Sequence, residues 1–231
     1  LAERGTDTSV SEADILNNFQ LEAFGNQGHL PVGMHKPEGS FRLLFAGNIG
    51  PAQNLDAVIT AFEDLDDLSD LRLDILGDGI ARKALELQAG ERLGKRIFFH
   101  GYHPSENATQ MIATADLSLV TLNLEIYRVA YPSKTMTYLA AGSPILAMVE
   151  ENSALARMVR TEGVGYVSPQ GEALELASMI RKAYENPESR QAMKTRALSL
   201  AAREFTADAV LPKWAKLFEE ISQERALDLE S

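Results

Sequence analysis

The sequence contains no cysteine, which removes disulfides, thiol nucleophiles and zinc–thiolate sites together and fits a cytoplasmic protein. Long apolar runs are also missing. None exceeds a few residues, so no stretch can cross a bilayer as a helix, and the opening residues do not read as a charged-then-apolar leader. Positive charge is scarce: 22 Lys and Arg stand against 33 Asp and Glu, a net charge of −11. Binding to nucleic acid depends on neutralising phosphates, so that class of partner is disfavoured. A phosphorylated small molecule remains compatible, provided a few donors converge locally.

Several motifs are absent as well. There is no G-x-S-x-G elbow and no Walker loop, which argues against a serine hydrolase and a P-loop kinase. Gly77–Asp78–Gly79 is followed by Ile80–Ala81–Arg82, without the third glycine of a dinucleotide fingerprint, so hydride transfer is disfavoured. No metal site is expected. His100 and His103 have a usable spacing but no third ligand nearby, and Asp64, Asp66, Asp67 and Asp70 read as a solvated helix end.

What is present is a regular α/β alternation. The 231 residues suffice for one large domain with a real core. Residues 1–40 carry Pro31, Pro37 and five glycines with little periodicity, and read as a crossover or linker; within them Ile15–Phe19 could form a short strand. Leu1 is not a natural start, so part of a parent chain is expected to precede it. From residue 41 the runs Phe41–Ala46, Leu71–Leu76, Arg96–His100, Leu117–Leu122, Pro144–Val149 and Gly165–Ser168 predict six strands. Between them lie helical patterns: Leu55, Val58, Ile59 and Phe62 on one face, Ala81–Leu93, a helix capped by Ser105, Lys134–Ala141 and Ser153–Arg160. Three more helices follow, near 172–186, 188–203 and 207–225. The expectation is a doubly wound parallel six-stranded sheet spanning 41–205, with a C-terminal helix over 206–231.

In such sheets ligands bind beyond the carboxyl ends of the strands. Gly47 and Gly50 in the first loop, and Gly77 in the second, let backbone approach a phosphate or simply turn a corner. Tyr131–Pro132–Ser133–Lys134–Thr135–Met136–Thr137 is more informative. Its amides, hydroxyls and ammonium would converge on a diphosphate; the plainer possibility is that Ser133 caps a helix while Lys134 is solvated.

Taken in order, strand–Gly47–Asn48, Ile75–Leu76–Gly77–Asp78–Gly79, Phe98–Phe99–His100–Gly101–Tyr102, Ala115–Asp116 and Tyr138–Leu139–Ala140–Ala141–Gly142–Ser143–Pro144 resemble glycosyltransferase family 4. The match is to the C-terminal, donor-binding half of its two-domain GT-B fold, a Rossmann-like unit. Pro132–Ser133–Lys134–Thr135 is similar to the branch that builds O-antigen, colanic acid and capsule. The resemblance implies a retaining transferase that uses a UDP- or GDP-linked sugar as substrate, with neither cofactor nor metal. It also implies a lipid-linked or glycan acceptor, held by an N-terminal domain of the same polypeptide. Such an enzyme would be cytoplasmic and work at the inner face of the membrane, and the isolated half would be inactive. By resemblance Gly47, Asn48 and Gln53 face the diphosphate, Lys134 supplies the main positive charge, Ser133 and Thr135 support phosphates or sugar, and His100 and Tyr102 lie where the family holds the base, partly through main-chain groups. Arginine and lysine are commoner where Asn48 and Gln53 stand, and glutamates where Val129 and Thr137 stand. Glu125 would stand in for the first glutamate, and Thr137 would reach the ribose. Those departures leave two rivals: a nucleotide-sugar 2-epimerase on the same fold, and a non-catalytic nucleotide-binding module.

Overall fold

The computed structural model describes residues 30–31, 33–121 and 132–230, with side chains as far as 222. Six strands form one sheet, all pairs parallel: β1 (Phe41–Ala46), β2 (Leu71–Leu76), β3 (Ile97–Gly101), β4 (Leu117–Thr121), β5 (Ile145–Met148) and β6 (Gly165–Ser168). Their order is β3-β2-β1-β4-β5-β6. The chain therefore winds outward one way from β1 and then returns to wind the other way from β4. The expected sheet and its strand positions are found, with ends shifted by a residue at β3 and β5 and Leu122 outside the described residues.

Among the described residues, eight α-helices carry the chain between and beyond the strands: α1 (Leu55–Ala61), α2 (Arg82–Ala89), α3 (Ser105–Ala113), α4 (Lys134–Ala140), α5 (Ala154–Glu162), α6 (Ala173–Glu185), α7 (Pro187–Glu204) and α8 (Ala207–Glu230). Strand alternation sorts the core into two layers. Leu43, Phe45, Leu73, Ile75, Leu117 and Leu119 face one side, packing with Val58, Ile59, Leu85 and Ile180 of α1, α2 and α6. Leu44, Leu76, Val120, Ala147 and Val149 face the other, packing with Ile112, Tyr138, Leu139, Val159 and Leu200 of α3, α4, α5 and α7. Both faces are covered, which is why the strands read as nearly unbroken apolar runs rather than alternating ones.

Two local expectations need correction. Helix α3 begins at Ser105 with Pro104 as the flanking residue, and no side chain caps it; a proline there fixes the entry without a hydroxyl. Residues of the stretch read as linker also join the domain. Leu30 and Met34 are buried in the second layer, the Met34 carbonyl accepts from Arg42 at 2.7 Å, and Lys36 pairs with Asp116. Helix α8 leaves Leu211, Phe218 and Ile221 largely exposed, with Trp214 stacked on Phe218 at 5.8 Å.

Charge is buried at one place in the sheet. Asp74 of β2 accepts from Arg42 Nε at 2.8 Å, from Arg72 at 2.8 and 2.5 Å, and lies 2.6 Å from His100 Nε2. Arg42 in turn donates to Thr114 at 2.7 Å. Burial alone would raise the Asp74 pKa; hydrogen bonds from His100 and Arg72 and the charge of Arg42 reverse this and hold it below the ordinary carboxylate range. The network ties β1, β2, β3, α3 and the 30–40 segment into one block.

Candidate functional site

The β1–β4 boundary is where the strand order reverses, the position at which an open α/β sheet forms a crevice. β1 and β4 are paired only at Leu43–Leu117 and Leu44–Ser118, so they separate toward their carboxyl ends. The Ala46 N–H and C=O, which a continued ladder would join to β4, go instead to the Tyr138 hydroxyl: it accepts from the amide at 2.8 Å and donates to the carbonyl at 3.2 Å. Tyr138 is fully buried, and burial raises its phenol pKa.

On the β2 side of the crevice the backbone is drawn in closely. Gly47 N–H donates to Leu76 O at 2.9 Å, Gly77 N–H to Gly101 O at 2.8 Å and Ile49 N–H to Asp78 O at 2.8 Å. Gly77 holds φ +133, and a Cβ there would collide with the Gly47 carbonyl. Gly47 holds φ +148, and a Cβ would come within 3.2 Å of Lys134 Nζ. Both positions thus need glycine for conformation and for close approach.

Lys134, the first residue of α4, reaches into this gap. Its Nζ donates to Gln53 Oε1 at 2.9 Å and sits 4.0 Å from the centre of the Phe45 ring, a cation–π distance. Burial pushes its pKa down from the ordinary lysine value to about 8, and among the described residues no carboxylate pairs with it. Two hydroxyls are buried without a hydrogen-bond partner: Thr121 Oγ1 at the end of β4 and Thr135 Oγ1 in the first turn of α4.

A cavity of about 410 Å³ adjoins the gap, lined by Gly47, Asn48, Gly77, Asp78, Tyr102 and His103 among others. Tyr102 stands at its rim, 86% exposed. The structure therefore brings Gly47, Asn48, Gly77 and Tyr102 to one cavity, and Lys134 and Gln53 to its edge. Gly50 is buried and precedes a short 3-10 turn, Pro51–Gln53, that delivers Gln53.

Other expected residues stand differently. The His100 imidazole is committed to Asp74, and its carbonyl lies 2.9 Å from His103 Nε2, so neither ring looks toward a metal. Among the described residues no cluster of three potential metal ligands exists. Ser133 makes no capping bond with its side chain, and two first-turn amides expected to be free are taken: Thr135 N–H by Pro132 O and Met136 N–H by Ser133 O. The reason is the tight turn at Pro132, which closes on itself. Thr137 is half-buried. Glu125 and Val129 lie outside the described residues. Phe45 and Tyr138 were missed as site residues; the signal for Tyr138 was its place one helical turn after Lys134.

The sheet, its reversal point and the helices on both faces make a doubly wound α/β unit with a glycine-lined cavity at the reversal. Comparison with known proteins is more specific: residues 31–199 match the glycosyl transferases group 1 family, and the chain belongs to that family. Among curated relatives, the probable glycosyltransferase WbjE of Pseudomonas aeruginosa is 27% identical over 136 residues, covering 59% of this chain and 34% of that protein. The putative colanic acid biosynthesis glycosyl transferase WcaI of Escherichia coli (strain K12) is 27% identical over 175 residues, covering 75% of this chain and 40% of the relative. The chain thus spans less than half the length of these curated relatives. Among solved structures, Anabaena HepE in complex with UDP superposes with a TM-score of 0.66 at 19% identity, over 80% of this chain and 49% of that one. No helix among the described residues is long and apolar enough to cross a membrane.

Proposed function

We propose that this chain is the donor-binding half of a retaining glycosyltransferase. It would move a hexosyl or deoxyhexosyl group from a UDP- or GDP-sugar to a lipid-linked or glycan acceptor, whose wall of the cleft lies elsewhere in the polypeptide. The observation that carries this is Lys134: a half-buried lysine at the sheet's reversal point, its ammonium against Gly47, with no described carboxylate to neutralise it. A partly desolvated cation held without a counter-charge carries a cost that an arriving anion relieves, and a diphosphate supplies one. The family membership and a structural neighbour that holds UDP support the same reading.

In this mechanism negative charge grows on the diphosphate oxygen as the sugar leaves. Lys134 stabilises it in a site already partly dry, where such an interaction gains most. Asn48 and the Gly47 and Gly77 backbone shape the diphosphate side, and the cavity walled by Tyr102 and His103 takes the nucleoside. Thr135 and Ser133 flank the sugar.

Calorimetric titration of the folded chain with UDP, GDP and ADP, beside Lys134→Met, tests this. One nucleotide should bind saturably, and the variant should lose roughly tenfold or more, about 1.4 kcal/mol. Binding of none of the three by wild-type protein of intact circular dichroism overturns the reading. Product formation by the two-domain enzyme then separates a transferase from a binding module.

A further inference from the structure

We infer that Tyr138 is the positioning residue for Lys134: its hydroxyl occupies the missing rung between β1 and β4 and so fixes where the lysine enters the crevice. Three observations meet here. The β1–β4 pairing stops after Leu44–Ser118, and past that point the Tyr138 hydroxyl binds both the amide and the carbonyl of Ala46, at 2.8 and 3.2 Å. Tyr138 follows Lys134 by four residues in α4, so the two side chains lie on one face of the helix, a turn apart. Finally, Lys134 Nζ contacts the two residues that flank Ala46: it lies over the Phe45 ring at 4.0 Å, and a Cβ on Gly47 would come within 3.2 Å of it.

Helix and strand are therefore pinned at Ala46, and the lysine lands on the residues either side of the pin. The same hydroxyl has a second effect. By taking both Ala46 groups it satisfies them without a β4 partner, so the strands can part with no orphaned backbone. A phenylalanine would fill the same volume and do neither. The buried setting that lowers the Lys134 pKa depends on this placement. A lysine released from the pin returns toward water and toward its ordinary titration range.

Because this rests on the donor-binding function proposed above, the test has two arms. The first uses Tyr138→Phe, Lys134→Ala and the double variant, titrated with the nucleotide that wild type binds. Sucrose is added to hold the folded state, and melting is checked first. Tyr138→Phe should bind at least roughly fivefold more weakly, while in the Lys134→Ala background the same change should cost less than about twofold, since coupled residues are not additive. Wild-type affinity in Tyr138→Phe, or additive losses in the double variant, overturns the inference. The second arm needs no nucleotide: NMR of labelled lysine follows the Lys134 titration. Its midpoint should rise by roughly one pH unit or more in Tyr138→Phe, and an unmoved midpoint overturns the inference. If wild type binds no nucleotide, the donor-binding function fails while the second arm still decides the role of Tyr138.

Discussion

The two sides of β1 treat buried polarity in opposite ways. Toward β2 and β3, Asp74 is fully buried yet met by Arg42, Arg72 and His100. Toward β4, Lys134 has, among the described residues, only a neutral amide and an aromatic face, and the buried Thr121 and Thr135 hydroxyls lack a hydrogen-bond partner there. The first arrangement is complete in itself and rigidifies the block. The second is incomplete, and its incompleteness lies where the strand order reverses. The contrast teaches that burial of charge does not mark a ligand site; burial without a partner does.

The largest expected effect lies on the satisfied side. Asp74→Ala leaves Arg42 and Arg72 buried beside each other, and removing one member of such a network costs about 3–5 kcal/mol. Urea unfolding should show this loss. A variant within about 1 kcal/mol of wild type would mean that the network contributes no more than a surface pair.

Next comes the pH response of the unsatisfied side, where the sign is unusual. The folded Lys134 titrates at about 8 and an unfolded lysine at its ordinary value of 10.5. Between those values the unfolded chain holds the extra proton, so Lys134 makes the fold more stable as pH rises through that window. Diphosphate binding should move the other way and weaken above about 8 as the ammonium is lost. Comparing the slopes of wild type and Lys134→Met isolates this group, and equal slopes would contradict a lowered pKa.

The smallest effects are those of the hydroxyls. Thr121→Val and Thr135→Val keep the shape and remove a group without a partner, so thermal stability should be unchanged or rise by up to about 1 kcal/mol. A loss of more than that would reveal a bond that these hydroxyls make in solution.

Much of the sheet was legible because both of its faces are covered, so the strands run apolar from end to end. The crevice was half legible. Gly47 and Gly77 show as glycines after strands, and Lys134 shows as a cation opening a helix after a proline. What failed is informative. Arg42, Arg72 and Asp74 lie inside the runs taken as strands and were not singled out, although opposite charges at core positions of adjacent strands are the signature of a buried network. His100 was placed at the base by resemblance, partly through main-chain groups; its side chain turns to Asp74, a partner the sequence did not reveal. Tyr138 entered only as part of the Tyr138–Pro144 motif, and nothing in the sequence says that β1 and β4 part at Ala46. Glycine and charge can be read locally; the end of a strand pairing cannot.

The most direct test of the account is to melt and titrate Lys134→Met in parallel with wild type at pH 7. The account predicts a higher melting temperature, because a desolvated charge is replaced by an apolar chain of similar length, together with at least roughly tenfold weaker nucleotide binding. A variant that melts lower, or binds as tightly as wild type, would contradict the claim that Lys134 is held at a cost to the fold for an anionic ligand.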